Sequence, residues 1–396
     1  MLKRMRSFLV LVMLFIAVTM SAQVTTATMS GKVTAQDEPI IGATVVAVHE
    51  PSGTRYGTVT NVSGQFNLQG MRTGGPYKVE ISYVGYQTAI YKGINLSLGE
   101  NYVLNVSLKE SSELLDEVVV TASKESNMKS DRAGAIMNAN RDMISNTPTI
   151  SRSISDIMRL SPQGADVGNG FAVGGGNYRQ SFVTVDGAAF NNTFGLGGNL
   201  PANGSPISLD ALEQVTVAVT PFDVRQSGFT GGAINAVTRS GDNQFRGTAY
   251  MYFNNENLKG SKVDDYELLR SKAQYYTYGA SFGGPIIKDK LFFFVNGEYE
   301  DNVTAGSNYR PRTALGESYS GGNIHRPLQS DMDDMRGFLL NKYNFDPGKY
   351  NDYSTDTPAY RVMARVDWNA NQNNKVSFRF TKTHTKDSNF PTSSVS

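Results

Sequence analysis

The pattern most suggestive of catalysis in this chain is Gly279-Ala280-Ser281-Phe282-Gly283, which matches the G-x-S-x-G motif of serine hydrolases. In that motif a strand, a sharp turn and a helix expose the serine hydroxyl as a nucleophile. Here the pattern lies within one run of alternating residues, which predicts a continuous strand. We therefore expect no nucleophilic serine. Three scattered histidines and no cysteine leave no other convincing catalytic set, so the sequence predicts that the chain is not an enzyme.

Two further patterns could bind small molecules. The glycines at 168, 170 and 174–176 suggest a nucleotide loop, but their spacing differs from the dinucleotide fingerprint and no Gly-Lys-Ser/Thr follows. Asp331, Asp333 and Asp334 could meet a calcium ion, yet they lack the spacing and the glycine of an EF-hand. We expect ordinary loops at both places, with no metal site and no cofactor.

The most informative stretch is Leu115-Asp116-Glu117-Val118-Val119-Val120-Thr121-Ala122. Its three β-branched valines are stiff and favour an extended chain, while polar residues on both sides keep the stretch in solvent. Such a segment can add as a strand to the open edge of another protein's sheet. By itself it could also be an ordinary buried strand. Its position between two domain-sized segments favours the docking strand.

The N-terminus predicts export. Three basic residues within the first six precede an apolar run over residues 8–20. The small residues that follow suit cleavage between Ala22 and Gln23, so residues 1–22 are predicted to be a secretory signal peptide. A membrane anchor is the alternative, but the run is shorter than the about 20 residues that a spanning helix needs.

Composition narrows the class of protein. The 37 basic and 36 acidic residues are interspersed and give a formal net charge of +1, so nucleic acid is not an expected partner. The 20 Tyr, 20 Phe and 39 Gly favour a β-rich envelope protein. Without cysteine, the chain has neither disulfides nor a lipid-bearing cysteine at the cleavage site.

The elements that would position these residues fall into three segments. Over residues 25–110, short β-prone runs alternate with turn residues, which predicts a small antiparallel sandwich. Over residues 127–242 the pattern is mixed. It predicts an amphipathic helix over 150–160 and strands over 182–185, 212–219 and 231–239.

From residue 243 onward the chain predicts strands that face lipid on one side. In Tyr360–Trp368 one face reads Tyr, Val, Ala, Val, Trp and the other reads Arg, Met, Arg, Asp. Runs near 276–282, 291–295 and 376–380 alternate similarly, and the first strand, over 245–254, does so less cleanly. Apolar outside and polar inside is typical of a transmembrane β-barrel. A soluble sandwich is the alternative, but it would carry fewer aromatic residues at strand ends.

The connections agree with a barrel. Short links near 285–288 and 370–373 alternate with long links over 255–274 and 301–358. Bacterial barrels have short periplasmic turns and long outer loops, which orients the first strand upward from the periplasm. A plugged lumen takes about 22 strands. Five strands cannot close one, so we expect the sequence to be a fragment that ends in an outer loop.

These segments resemble one family. Leu115–Ala122 resembles the TonB box of TonB-dependent outer-membrane receptors, and residues 39–43, 60–66 and 82–86 resemble the carboxypeptidase-regulatory-like domain of many Bacteroidetes receptors. The Val185-Asp186-Gly187 turn, the 211–215 strand and the 231–241 exit resemble the plug domain. The Gly-Val-rich motif of glycan-importing SusC-type members is not evident, whereas Pro221–Gln226 is similar to the Oar-like branch.

The resemblance implies a mostly β architecture: a signal peptide (1–22), a transthyretin-like β-sandwich (25–110), the TonB box and linker (111–126), an α+β plug (127–242) and the first strands of a large barrel (243–396). It implies a receptor in the cell outer membrane, with its N-terminal domain in the periplasm. The expected function is energised import of a peptide, protein fragment or glycan. A surface adhesin or structural protein that uses the same scaffold is the alternative.

The resemblance also assigns partners and site residues. The partners would be TonB with its ExbB/ExbD energy complex, outer-membrane lipid and an unidentified ligand, and a surface lipoprotein is allowed. A candidate ligand loop lies within 190–200, and a glycine-rich loop packed on the barrel wall is an equal alternative for it. Residues assigned to TonB pairing are Leu115, Asp116, Glu117, Val118, Val119, Val120 and Thr121, and those assigned to the ligand loop are Phe190, Asn191, Asn192 and Phe194.

Overall fold

The computed structural model of the chain describes residues 25–110, 118–121, 136–149, 152–167, 170–192, 198, 200–201, 204–219, 231–258, 260, 262–263, 266–267, 272–305, 310–318, 324–350, 354–372 and 374–386. They form mostly β structure, as the sequence predicts. The chain divides into two compact units. One contains the described residues up to 247 with 282–295 and 363–381, and the other contains 248–281, 296–362 and the described residues from 382.

The N-terminal part of the chain is a sandwich of two β-sheets. The first sheet has the order β2-β1-β5, with β8 and β9 parallel to β1, and the second has the order β10-β7-β6-β3-β4. Its strands are β1 (Ala27–Ala35), β2 (Glu38–Pro39), β3 (Thr44–His49), β4 (Thr54–Val59), β5 (Gln65–Met71), β6 (Gly74–Ser82), β7 (Ala89–Leu96), β8 (Asn101–Val103), β9 (Val106–Ser107) and β10 (Val118–Thr121).

Alternation builds the core of this sandwich. In β3 and β6, Val45, Val79 and Ile81 face inward and are fully buried, while their neighbours face outward. Gly31 is required in β1 because a Cβ there would lie 1.8 Å from the carbonyl oxygen of Leu104. That close approach lets the chain after β8 pack against β1, with Leu104 N–H donating to Ser30 O at 2.8 Å. The predicted sandwich is confirmed, but it is not wholly antiparallel, because β8 and β9 pair in parallel with β1.

The central segment, residues 136–241, is an α+β unit around one sheet of order β11-β16-β17-β14-β15. In it β14 and β17 are parallel, and the other pairs are antiparallel. Its strands are β11 (Ile136–Asn140), β12 (Gly164–Asp166), β13 (Phe171–Val173), β14 (Phe182–Val185), β15 (Ala188–Ala189), β16 (Leu212–Ala218) and β17 (Ala233–Thr238), and its helices are α1 (Arg141–Asn146) and α2 (Ile154–Met158).

The helix predicted over 150–160 is shorter in the structure. It begins at Ile154 and ends at Met158, and residues 150 and 151 lie outside the described part of the chain. The Asp156 carboxylate accepts the backbone N–H of Ser153 at 3.3 Å, which fixes the start of the helix. Ile154, Ile157 and Met158 are fully buried in the core of the central segment, so the predicted apolar face is confirmed.

The C-terminal part contains a sheet of long strands in the order β18-β21-β22-β26-β27. The alternation predicted for the fourth of these is confirmed, because Arg361, Arg365 and Asp367 are buried whereas Val362 and Trp368 are exposed. The strands are β18 (Arg246–Asn255), β19 (Lys262–Val263), β20 (Tyr266–Glu267), β21 (Gln274–Ile287), β22 (Leu291–Ala305), β23 (Arg310–Arg312), β24 (Ile324–Leu328), β25 (Ser354–Asp356), β26 (Ala359–Asn369) and β27 (Lys375–Thr385).

One helix, α3 (Gln329–Tyr343), lies between β24 and β25, and none of its residues is buried. The loop expected at the acidic cluster is wrong, because Asp331, Asp333 and Asp334 lie within this exposed helix. Asp333 accepts the hydroxyl of Tyr350 at 2.5 Å. In the described part of the chain no helix is long and apolar enough to cross a membrane. Among the same residues, no three His, Cys, Asp or Glu side chains are grouped as metal ligands.

Candidate functional site

The predicted docking strand forms an edge of the sandwich. Residues Val118–Thr121 pair in parallel with β7, with Val118 opposite Ala89 and Thr121 opposite Lys92. Within the described residues β10 is the last strand of its sheet, so no strand lies on its other side. Leu115, Asp116 and Glu117 lie outside the described residues.

The chain before β10 already runs beside the residues that lead into β7. Gln87 N–H donates to Lys109 O at 2.9 Å, and an isolated β-bridge joins Tyr86 to Glu110. After Glu110, residues 111–117 connect to the start of β10. The strand propensity of the three valines then allows the segment to extend the sheet by backbone pairing alone.

The candidate ligand-loop residues make contacts within the central segment. Phe190 is half-buried against its core, and its N–H donates to Val183 O at 3.0 Å. The Asn191 amide accepts from Val183 N–H at 2.6 Å and donates to Ser181 O at 2.8 Å, and so prolongs the edge of β14. Asn192 Nδ2 donates to Gly198 O at 3.3 Å. Phe194, like Ala22 and Gln23, lies outside the described residues, and contact with a ligand stays a prediction.

A polar cluster, which sequence reasoning missed, ties the central segment to strands β26 and β27. We call this set the exit cluster, because the chain leaves the central segment just after Thr238, the last residue of β17. Its members are Asp186, Thr238, Arg365, Asp367 and Arg379. Asp186 accepts the N–H and the hydroxyl of Thr238 at 3.0 and 2.5 Å, and Arg379 Nε lies 3.5 Å from its carboxylate. Arg365 Nη1 donates to Thr238 O at 2.5 Å.

Within the exit cluster, Arg365 and Asp367 form a buried bidentate ion pair. Nε and Nη2 of Arg365 donate to the two carboxylate oxygens of Asp367 at 2.8 and 3.1 Å. The Asp367 carboxylate also accepts the hydroxyl of Ser240, and that of Ser377 at 2.6 Å. Each carboxylate oxygen therefore has more than one donor, which is what a buried charge needs to be retained.

The chain leaves the central segment through a close contact at Gly241. A Cβ on this glycine would lie 2.3 Å from Phe293 O and 2.7 Å from Gly284 O. Phe294 and Met363, which face inward on β22 and β26, belong to the same apolar cluster as the central segment. This packing explains why the inner face of β22 is less polar than a simple lumen-facing strand.

The sandwich is also fastened to the central segment. Leu98 N–H donates to Gln214 Oε1 at 3.0 Å, and both residues are buried. Arg72 Nη2 donates to Gly241 O at 3.4 Å, and Asn243 N–H donates to Pro51 O at 2.9 Å. These bonds place the sandwich beside the point at which the chain enters its first long strand.

A cavity of about 440 Å³ lies among these elements, and the basic residues in its lining outnumber the acidic ones. Burial, followed by the nearby charge of Arg141, lowers the pKa of Arg239 to about 10, against the favourable charge of Asp210. The Arg239 guanidinium lies 4.7 Å from the centre of the Phe294 ring and donates to Asp210 O at 3.2 Å. It therefore remains charged at neutral pH.

A second buried ion network lies on the inner face of the long strands. Arg361 donates to Glu298 at 2.9 Å and to Glu300 at 2.7 Å, and these side chains are 2–7% exposed. Tyr250 donates to Glu298 at 2.5 Å. Ser281 of the hydrolase-like pattern lies within β21, with its hydroxyl 2.6 Å from that of Thr248. It does not sit on a strand-to-helix turn.

Comparisons with known proteins identify the two ends of the chain. Residues 28–109 match the carboxypeptidase regulatory-like domain, and residues 237–396 match an outer membrane beta barrel domain. The chain is 25% identical over 342 residues to the TonB-dependent transporter Oar of Myxococcus xanthus, which covers 83% of this chain and 30% of that protein. It is 29% identical over 269 residues to the TonB-dependent receptor SusC of Bacteroides thetaiotaomicron, which covers 64% of this chain and 24% of that protein.

Among solved structures, the siderophore receptor PirA from Acinetobacter baumannii is 16% identical with a TM-score of 0.43, over 63% of this chain and 31% of that one. The chain thus spans less than a third of the length of the curated relatives described above. The matches confirm the expected resemblance and an outer-membrane location with the N-terminal domain in the periplasm. The chain is therefore a homologue of the TonB-dependent proteins Oar and SusC, and its two ends match a carboxypeptidase regulatory-like domain and an outer membrane beta barrel domain.

Proposed function

We propose that this chain is part of an outer-membrane receptor that imports a ligand with energy delivered by TonB. The observation that carries the proposal is strand β10, a valine-rich segment at the open edge of the sandwich. Such an edge can accept a strand from a partner through backbone hydrogen bonds. The names of the relatives Oar and SusC, both described as TonB-dependent, support the same role.

Within this proposal Leu115–Thr121 is the TonB box. The backbone of Val118–Val120 forms the strand pairing, while Asp116 and Glu117 steer the segment toward basic residues of TonB. TonB would act with ExbB and ExbD, which transmit the proton-motive force. No metal or cofactor is needed for this role, because the work is mechanical.

The same proposal assigns a role to each of the remaining segments. Residues 25–110 are the accessory sandwich, 111–126 the box and linker, 127–242 the plug, and residues from 243 the first barrel strands. The exit cluster then joins plug to barrel wall, since Asp186 and Thr238 belong to the plug while Arg365 and Arg379 lie on β26 and β27. Import would require this attachment to loosen when the box is pulled.

The imported ligand is proposed only as a class, namely a peptide, a protein fragment or a glycan. Its contacts would come from loops on the outer side, including the Phe190–Phe194 loop. A surface lipoprotein could assist capture.

The alternative is a surface adhesin that keeps barrel and plug as a scaffold. The exposed apolar side chains of the α3 region favour it, because Met335, Phe338 and Phe345 are at least half exposed. Exposed apolar patches of this kind often bind other proteins. An adhesin, however, has no need of a working box.

A binding experiment separates the two functions. The full-length receptor in detergent is titrated with the soluble C-terminal domain of TonB from the same organism. We expect binding by the wild type and by Val119→Thr, which keeps the backbone N–H and the β-branched side chain. Val119→Pro should lose binding because proline removes a ladder donor. Equal binding by Val119→Pro would refute the box assignment, and no binding by the wild type would favour the adhesin.

A further inference from the structure

We propose that the accessory sandwich holds the TonB box ready, and that TonB binds by adding a sixth strand to this sheet. The inference rests on the proposed function and goes beyond it by assigning a role to the regulatory-like domain. The binding surface is the outer edge of β10, backed by β7, β6, β3 and β4. The partner is an extended strand flanked by basic residues.

The pairing of β10 carries the first step. All four residues of β10 have partners in register on β7: Val118 with Ala89, Val119 with Ile90, Val120 with Tyr91 and Thr121 with Lys92. In a parallel strand, the N–H and C=O groups of every second residue point toward the neighbouring strand on one side. Those of the residues in between point toward the opposite side. Half of the backbone groups of β10 therefore pair with β7, and the other half face outward.

The second observation is that β10 lies at the end of its sheet. It is the terminal strand, so within the described residues no other strand uses its outward groups. A sheet edge with unpaired N–H and C=O groups is a template for a further strand. TonB can then pair with the box without displacing β7.

The charged residues next to β10 in the sequence indicate the kind of strand that fits. Asp116 and Glu117 immediately precede β10 in the sequence, and Lys124 follows it only after Ala122 and Ser123. The acidic pair selects a partner with basic residues beside its strand. This complementarity would set the direction in which the partner aligns.

A box held in the extended form has little conformational entropy left to lose when TonB binds. Fixing the backbone of four residues is a large cost for a short peptide. A box already fixed by β7 avoids much of that cost, so we expect the held box to bind TonB about tenfold or more tightly than a released one. In a competing arrangement the sandwich hides the box from TonB, and the held box would then bind TonB more weakly than a released one.

A disulfide between β7 and β10 tests the inference. Lys92 and Thr121 are in register, and Lys92 is exposed, so Lys92→Cys costs the sandwich little. Residues in register lie on the same face of a sheet, whereas a shift of one residue places side chains on opposite faces. The pair Lys92→Cys/Thr121→Cys should therefore oxidise readily in the full-length receptor, and the control pair Lys92→Cys/Val120→Cys should not.

TonB binding to the oxidised and reduced forms decides the outcome. We expect the oxidised receptor to bind the soluble TonB domain at least as tightly as the reduced one. Loss of binding on oxidation would overturn it in favour of a hidden box. Failure to form the disulfide, with TonB bound normally by the reduced variant, would overturn the inference and leave the proposed function standing. No binding by wild type or reduced variant would overturn the proposed function itself.

Amide exchange gives a second measurement that needs no substitution. In the free wild-type receptor, alternate amides among residues 118–121 should exchange slowly because β7 holds them. Addition of the TonB domain should then protect the amides between them. Uniformly fast exchange in the free receptor would overturn the inference.

Discussion

The exit cluster makes a quantitative prediction for Arg365→Met. The substitution removes the bidentate partner of Asp367, whose side chain is only 11% exposed, and the donor to Thr238 O. Removing one member of a buried ion pair costs about 3–5 kcal/mol, because the other charge stays buried without compensation. The hydroxyls of Ser240 and Ser377 offset part of this cost. We expect the opening free energy of the central segment to fall by about 4 kcal/mol.

The double variant Arg365→Met/Asp367→Leu should be less destabilised than either single variant. It buries no unpaired charge, although the Thr238 carbonyl and two hydroxyls still lose a partner, which leaves a cost of about 2 kcal/mol. The matched control is Arg336→Met. Arg336 makes the same two-bond contact to Asp346, at 3.1 and 3.0 Å, but on the surface of the α3 region. Exposed pairs contribute little, so the control should behave as the wild type.

The assay uses the absence of native cysteine from these residues. A reporter Ala236→Cys, in the buried strand β17, reacts with a thiol reagent only when the central segment opens. The urea dependence of labelling in the full-length receptor then gives the free energy of opening. The reasoning is refuted if Arg365→Met opens at the same urea concentration as Arg336→Met, or if the double variant is as unstable as the single one.

Two further predictions concern the sandwich. Gln214→Met leaves the buried N–H of Leu98 without its acceptor, at a cost of about 1–3 kcal/mol. The Leu98 amide should therefore exchange at least tenfold faster. The control Gln65→Met changes an exposed side chain and should leave that rate unchanged. Burial, helped by the charge of Arg72, lowers the pKa of His49 from 6.5 to about 3. The unfolded chain therefore binds a proton that the folded one excludes, and the sandwich should lose about 1.4 kcal/mol of stability per pH unit between about 6 and 3. His49→Asn should remove this part of the acid sensitivity in urea titrations at several pH values. An unchanged pH profile in that variant would contradict the assignment to His49.

Local patterns predicted most of the fold. Alternation in Tyr360–Trp368 is a property of neighbouring residues, and the structure confirms which face is buried. The strand at 182–185 was likewise predicted to the residue. The sequence could not predict how far α2 extends, since its start depends on the contact between Ser153 and Asp156.

The sequence did not predict which distant residues contact each other. The valines predicted a strand at 118–121, but nothing local in the sequence shows that β7 is the strand beside it. The exit cluster joins distant parts of the chain, since Thr238 and Arg365 are 127 positions apart and each is an ordinary residue type for a strand. A signal did exist, because charged residues facing inward beside a plug must find partners there.

Contact between the proposed TonB box and TonB can be measured directly in living cells. A single cysteine replaces Val118 in the full-length receptor, and another is placed in the C-terminal strand of TonB, with uptake energised and surface expression verified. We expect a disulfide-linked receptor–TonB complex, which added ligand increases and Val119→Pro abolishes. Normal surface expression without any cross-linked complex would contradict energy coupling through this strand.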